Sequence, residues 1–235
     1  MVEVTKVIEQ KLPRLGVGLG YRQAFRSTLW EHRDSIDFFE VIADHFFDAT
    51  IEQQQELDLL KRHFQLVPHG LALSLGSAEG VDRDYLQRFA SLVDRIAPPW
   101  CSDHIAFTRA NGIDIGHLVP LPKTRATLRV LRDNLQLVQD RIQVPLILEN
   151  ITESLRYPED EYDDAEFLAE ICEQNDVERF ASGCYQPLHQ LSQLSLRSTE
   201  SFTPIATQAH HPVALRWRTC GEWSLGRLSW PGNSR

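Results

Sequence analysis

The sequence predicts an α/β fold: a (β/α)8 barrel of the TIM type, incomplete after about five βα units and followed by an irregular tail. Three observations predict it. Short apolar runs alternate with longer polar segments along residues 15–174, the signature of parallel strands with helices outside them. The longer segments carry apolar residues at helical spacing. The alternation stops near residue 175, where about 250 residues are usual for eight units.

The elements follow in order. "LGVGLGY" (15–21) leads into "RQAFRSTLWEHRD", and "FFEVIA" (38–43) precedes "DATIEQQQELDLLKRHF". "LVPHGLALSL" (66–75) precedes residues 82–97, where Leu86, Phe89, Leu92 and Val93 share one helical face. "WCSDHIAF" (100–107) precedes 124–142, with Leu128, Leu131, Leu135 and Val138 on one face and Thr124 or Thr127 as its start. "VPLILEN" (144–150) precedes "DDAEFLAEICEQ" (163–174). The domain reading is therefore a partial barrel over 13–174 and an irregular segment over 175–235. From Val177 to Arg235 there is no Asp and no Lys, and neither helical nor strand periodicity persists. Such a composition reads as a disordered tail, although Trp217, Trp223 and Trp230 fit that reading poorly.

Composition narrows the function classes. A hydrophobic content of 42% with 24% charged residues is ordinary for a globular chain. The net charge of −9 argues against a nucleic-acid footprint. Four cysteines without a CxxC pair suggest neither a disulfide scaffold nor a zinc ribbon. There is no signal-peptide pattern and no apolar run near the ~18 residues of a membrane span, so the expectation is a cytoplasmic protein without membrane or nucleic-acid partners. Gly18 and Gly20 in "GVGLG" lack the third glycine and downstream acid of a dinucleotide fingerprint.

Polar residues interrupt four of the expected strands near their C-terminal ends, where such barrels carry their active sites. They are Glu40 with Asp44 and His45, His69, Asp103 with His104, and Glu149 with Asn150. Imidazoles and carboxylates together suit Fe, Mn or Zn. Singly, each has a plainer reading: His69 as a hydrogen-bonded core histidine, Asp103 as a loop cap, Glu149 as the partner of an interior Arg, Asn150 as a turn former. Jointly, successive strands ending in metal-competent side chains point to a metal site. His32, His63 and His117 fall on helices or loops and read as structural or exposed.

Six motifs occur in fixed order: "GVGLGYR", "FFEVIADHF", "VPHGLALSLGS", "WCSDHIAF", "HLVPLP" and "LILENIT". Over residues 13–174 the chain resembles the multinuclear non-heme iron-dependent oxidative enzymes, the MbnB-like group. The resemblance implies a barrel holding two or three iron ions. It implies O2-dependent modification of a ribosomally made precursor peptide, at cysteine, with a partner protein that presents the peptide. By motif position it implies His45, His69, Asp103 and Glu149 as metal ligands, with Glu40, His104 and Asn150 in support. A divalent-metal hydrolase or isomerase barrel is the alternative enzyme class, and a non-functional truncated product the non-catalytic one.

The resemblance also implies ligands from later strands, in "LLDVTN"-, "LHFAGG"- and "DSH"-like motifs, and none is present after residue 175. Read one base later, codons for Phe180–Gln190 are compatible with LLLDVTNLYTN, those for His210–Trp217 with ITQLHFAG and those for Gly226–Ser229 with VDSH. These matches predict a single-base frameshift near residues 174–179. A chain with five units cannot close an eight-stranded barrel. The sequence therefore predicts poor stability, aggregation and only partial metal binding.

Overall fold

Each amphipathic segment folds as the helix its periodicity predicts, and each short apolar run as a parallel strand. The computed structural model describes residues 12–151, 156–174 and 180–184. In chain order these form β1 (Gly18–Gly20), α1 (Arg26–Glu31), β2 (Phe38–Ile42), α2 (Ile51–His63), β3 (Gln65–His69), α3 (Arg83–Ile96) and β4 (Cys101–Ile105). There follow β5 (Phe107–Ala110), β6 (Ile113–Val119), α4 (Arg125–Arg141), β7 (Leu146–Asn150), α5 (Asp164–Gln174) and β8 (Phe180–Cys184). The sheet order is β1-β2-β3-β4-β7-β8, and each of its pairings is parallel. Sheet neighbours follow one another in the chain, so the strands wind in one direction, as in a barrel wall. Among the described residues the wall does not close.

Local chemistry sets the helix starts. Thr50 and Gln53 form a reciprocal capping box at α2. Asp82 accepts the N–H groups of Asp84 and Tyr85 at α3, and Thr124 accepts that of Thr127 at α4. The helices bury Leu57, Leu60, Leu86, Phe89, Val93, Leu128, Leu131, Leu135 and Val138 against Phe39, Val41, Leu66, Cys101, Leu146 and Leu148 of the strands. The opposite sheet face carries a smaller cluster, Phe38, Val67, Trp100 and Ile147. Strand side chains alternate between faces, so this small cluster marks the inward set.

Two features differ from the sequence reading. A β5–β6 hairpin follows β4 directly, turning at Asn111 and Gly112 with φ of 52° and 71°. Positive φ at both residues of an Asn-Gly pair is the tight hairpin turn. The second feature is β8, inside the segment read as irregular. It pairs with β7 from Leu146↔Phe180 to Asn150↔Cys184. Backbone pairing to a formed neighbour defines it, without the apolar alternation that would mark it in sequence. The rest of 175–235, including the remainder of the Phe180–Gln190 stretch and all of His210–Trp217 and Gly226–Ser229, lies outside the described residues.

Gly18 is required by packing. A Cβ there would meet the buried Phe38 ring at 2.1 Å. Gly18→Ala is expected to lower the unfolding free energy by about 1–3 kcal/mol, read as a shift in urea midpoint. An unchanged midpoint would mean that the Phe38 ring yields freely.

Candidate metal centre

The two-residue period of the strands builds the site. Phe38 and Glu40, Val67 and His69, Trp100, Ser102 and His104, and Ile147 and Glu149 occupy the same phase of the pleat. The register keeps that phase across strands: Glu40 pairs with Val67, His69 with Ser102, and His104 with Glu149. Below lies the apolar floor of Phe38, Val67, Trp100 and Ile147. Further up the strands, the inward positions become Glu40, His69, Ser102 followed by His104, and Glu149.

His69, His104 and Glu149 form a group whose ligand atoms lie within 4.8 Å of one another. Nε2 of His69 is 3.9 Å from Oε2 of Glu149, and the two imidazoles meet edge to face at 4.6 Å between centroids. Nδ1 of His69 lies 2.9 Å from the Ser102 hydroxyl, which fixes the ring and leaves Nε2 for the site. Burial, with His104 and Arg22 nearby, pushes His69 down to about 3. Burial pushes His104 down to about 4. Both rings are therefore neutral at pH 7, the form that binds metal, and the His69–Glu149 contact is not an ion pair.

The carboxylates shift the other way. Burial, reinforced by Glu149 and opposed by Arg22, raises Glu40 to about 7. Burial also raises Glu149. Oε2 of Glu40, Nδ1 of His104 and Oδ1 of Asn150 are buried without a hydrogen-bond partner among the described residues. Orphaned polar atoms of this kind are costly, and a divalent cation beside Glu149 would satisfy the Glu40 oxygen, which already feels the Glu149 charge. The donor set of neutral imidazoles and carboxylates thus fits a metal such as Fe, Mn or Zn.

The structure places the remaining expected residues differently. Asp103 is one step out of phase with His69 and His104. It is buried, and its carboxylate accepts N–H groups from His104 at 2.6 Å and Leu73 at 3.2 Å. Burial is the main reason its carboxyl is raised to about 7. His104, expected in a supporting role, instead joins the three-residue group. His45 is exposed on the 3-10 turn Ala43–Phe46 and stands outside that group. Sequence reasoning missed Ser102, although its phase two residues before His104 was the available signal. It also missed Tyr85, which together with Asp44, a residue the sequence did single out, holds the loop after His69.

Comparison with known proteins gives the family. Residues 16–180 match the family described as the RiPP precursor modification enzyme MbnB/TglH/ChrH. The chain belongs to this family. It is 34% identical over 199 residues to a UPF0276 protein of Caulobacter vibrioides (strain NA1000 / CB15N), covering 84% of this chain and 69% of the relative. It is 32% identical over 164 residues to a UPF0276 protein of Vibrio vulnificus (strain YJ016), covering 70% of this chain and 56% of the relative. The chain thus spans between about half and about two thirds of these MbnB/TglH/ChrH relatives. It also aligns with a solved D-psicose 3-epimerase in the presence of D-fructose, at TM-score 0.42 and 13% identity, over 72% of this chain and 59% of that one. D-psicose 3-epimerase from Clostridium cellulolyticum H10 with D-tagatose aligns at 0.43 and 11%, over 71% and 62%. Among the described residues, no helix is long and apolar enough to cross a membrane.

Proposed function

We propose that this chain is an MbnB/TglH/ChrH-type enzyme that oxidatively modifies a ribosomally made precursor peptide, at cysteine, with O2 as the electron acceptor. The observation that carries the reading is the His69, His104 and Glu149 group on the inward face, within a family described as modifying such precursors. His69 and His104 would hold iron as neutral donors and Glu149 as an anionic one, with Glu40 and Asn150 beside them. Iron held by these residues would supply the redox chemistry for a thiol substrate and O2. The chain's own part is to orient and to exclude water. Ser102 orients the His69 ring, and the apolar floor of Phe38, Val67, Trp100 and Ile147 lies beneath the site. The reading includes a cytoplasmic location and a second protein that presents the peptide.

The reading further holds that residues beyond about 174–179 are encoded one base out of phase. What supports this is the order of the three motif matches in the alternative reading of residues 180–229. The nucleotide sequence tests this directly. An alternative frame carrying a stop, or lacking the three motifs, contradicts it.

The experiment for the activity is anaerobic reconstitution of the full chain with Fe(II), Mn(II) or Zn(II), followed by admission of O2 with cysteine-containing peptides. Oxygen uptake and peptide mass change confined to the iron form are expected. Oxygen-independent turnover with zinc or manganese would favour a hydrolase or isomerase. Absence of turnover in every form, alongside an active frame-restored chain, would mark this chain as non-functional.

A further inference from the structure

We propose that Tyr85 is a positioning residue for the metal centre: with Asp44, its hydroxyl fixes the backbone directly after His69, so that the imidazole stays turned toward Glu149. This rests on the metal reading above.

Four consecutive N–H groups follow His69, and each has a defined acceptor. Gly70 donates to the Ser102 carbonyl at 2.8 Å. Leu71 and Ala72 both donate to the Tyr85 hydroxyl oxygen, at 2.9 and 3.0 Å. Leu71 also reaches Oδ2 of Asp44 at 3.2 Å. Leu73 donates to Oδ2 of Asp103 at 3.2 Å. Tyr85 in turn donates its proton to Oδ2 of Asp44 at 2.9 Å. Three elements, the turn after β2, the strand β4 and the helix α3, thus converge on one short stretch of chain.

Tyr85 is itself well held. Its N–H is capped by Asp82, and its ring packs edge-on against Phe47 at 5.1 Å and beside Phe89 at 6.4 Å. Burial, with Asp103 and Asp44 nearby, raises its phenol above the usual range, so the proton that bonds Asp44 is retained. Gly70 permits the closure, since a Cβ there would lie 2.4 Å from Oδ2 of Asp103 and 3.4 Å from the Tyr85 oxygen. Tyr85 makes no contact with the three-residue group. Its effect passes through the backbone of residues 71 and 72 to His69, while Ser102 fixes the far side of the ring. Support at one remove from a ligand of this kind typically sets metal affinity within about 10–100-fold.

The test is Tyr85→Phe in the full chain, with Co(II) as the probe under anaerobic conditions. The ring and its packing are retained, and only the hydroxyl is lost. Co(II) affinity is expected to fall about 10–100-fold, with altered visible ligand-field bands and faster amide exchange at Leu71 and Ala72. Asp44→Asn, which keeps an acceptor, should be milder than Asp44→Ala, and this pair makes the comparison if Tyr85→Phe does not fold. Unchanged Co(II) affinity and unchanged bands in Tyr85→Phe, or equal effects of the two Asp44 variants, would overturn the role of Tyr85 alone. Failure of the unaltered chain to bind Co(II) would overturn the metal reading, and this inference with it.

Discussion

Replacing His69 with alanine is expected to reduce divalent-metal affinity by more than about 100-fold, beyond the range usual for outer-shell changes. His69 is the donor held from both sides, by Ser102 at Nδ1 and by the fixed loop that follows it. Its removal breaks the three-residue group and leaves only His104 and Glu149 of it among the described residues. Ser102→Ala should act more mildly, by about 10–100-fold, since it frees the ring without deleting the donor. Both effects are read by anaerobic Fe(II) or Co(II) titration. Binding that persists at full strength in His69→Ala would place the metal elsewhere.

Phe89→Ala is the substitution with the largest expected effect on the fold. Phe89 is fully buried on α3, in the cluster that joins the helices to the strands. Truncating such a ring to a methyl group costs about 3–5 kcal/mol, through lost burial and the cavity left behind. Whole domains have only about 5–15 kcal/mol to lose. The expected result is a large drop in urea midpoint, or insoluble protein at 25 °C. A loss under about 1 kcal/mol would mean that α3 repacks around the gap. Because Tyr85 rides on the same helix, the variant should also bind metal less tightly than the unaltered chain.

Helix periodicity and the succession of short apolar runs made the fold legible, because both patterns follow from burying one face of each element. Tertiary pairing hid the rest. Phe180–Cys184 becomes a strand through its ladder to β7, which no local pattern announces. The hairpin was signalled by Asn111-Gly112, but its strands are short and β6 is largely exposed, so no apolar alternation marked them. At the site, the residue types in "VPHG", "CSDH" and "LILEN" pointed to the strand ends. Which member of "SDH" turns inward depends on the pleat, and the phase set by Trp100 and Ser102 selects His104, while Asp103 turns to the N–H of Leu73. His45 follows the strand in a 3-10 turn, where strand alternation no longer applies. Asp44 was visible as a strand-end acid, but its role and that of Tyr85 lie in backbone N–H groups distant in sequence, which spacing could not expose.

X-ray absorption of the full chain loaded anaerobically with Fe(II) tests the central claim most directly. The account predicts a nitrogen and oxygen shell with the scattering signature of two imidazoles, lost together in His69→Ala and His104→Ala. A sulfur neighbour from a cysteine, or a shell of oxygen alone that both variants retain, would contradict it.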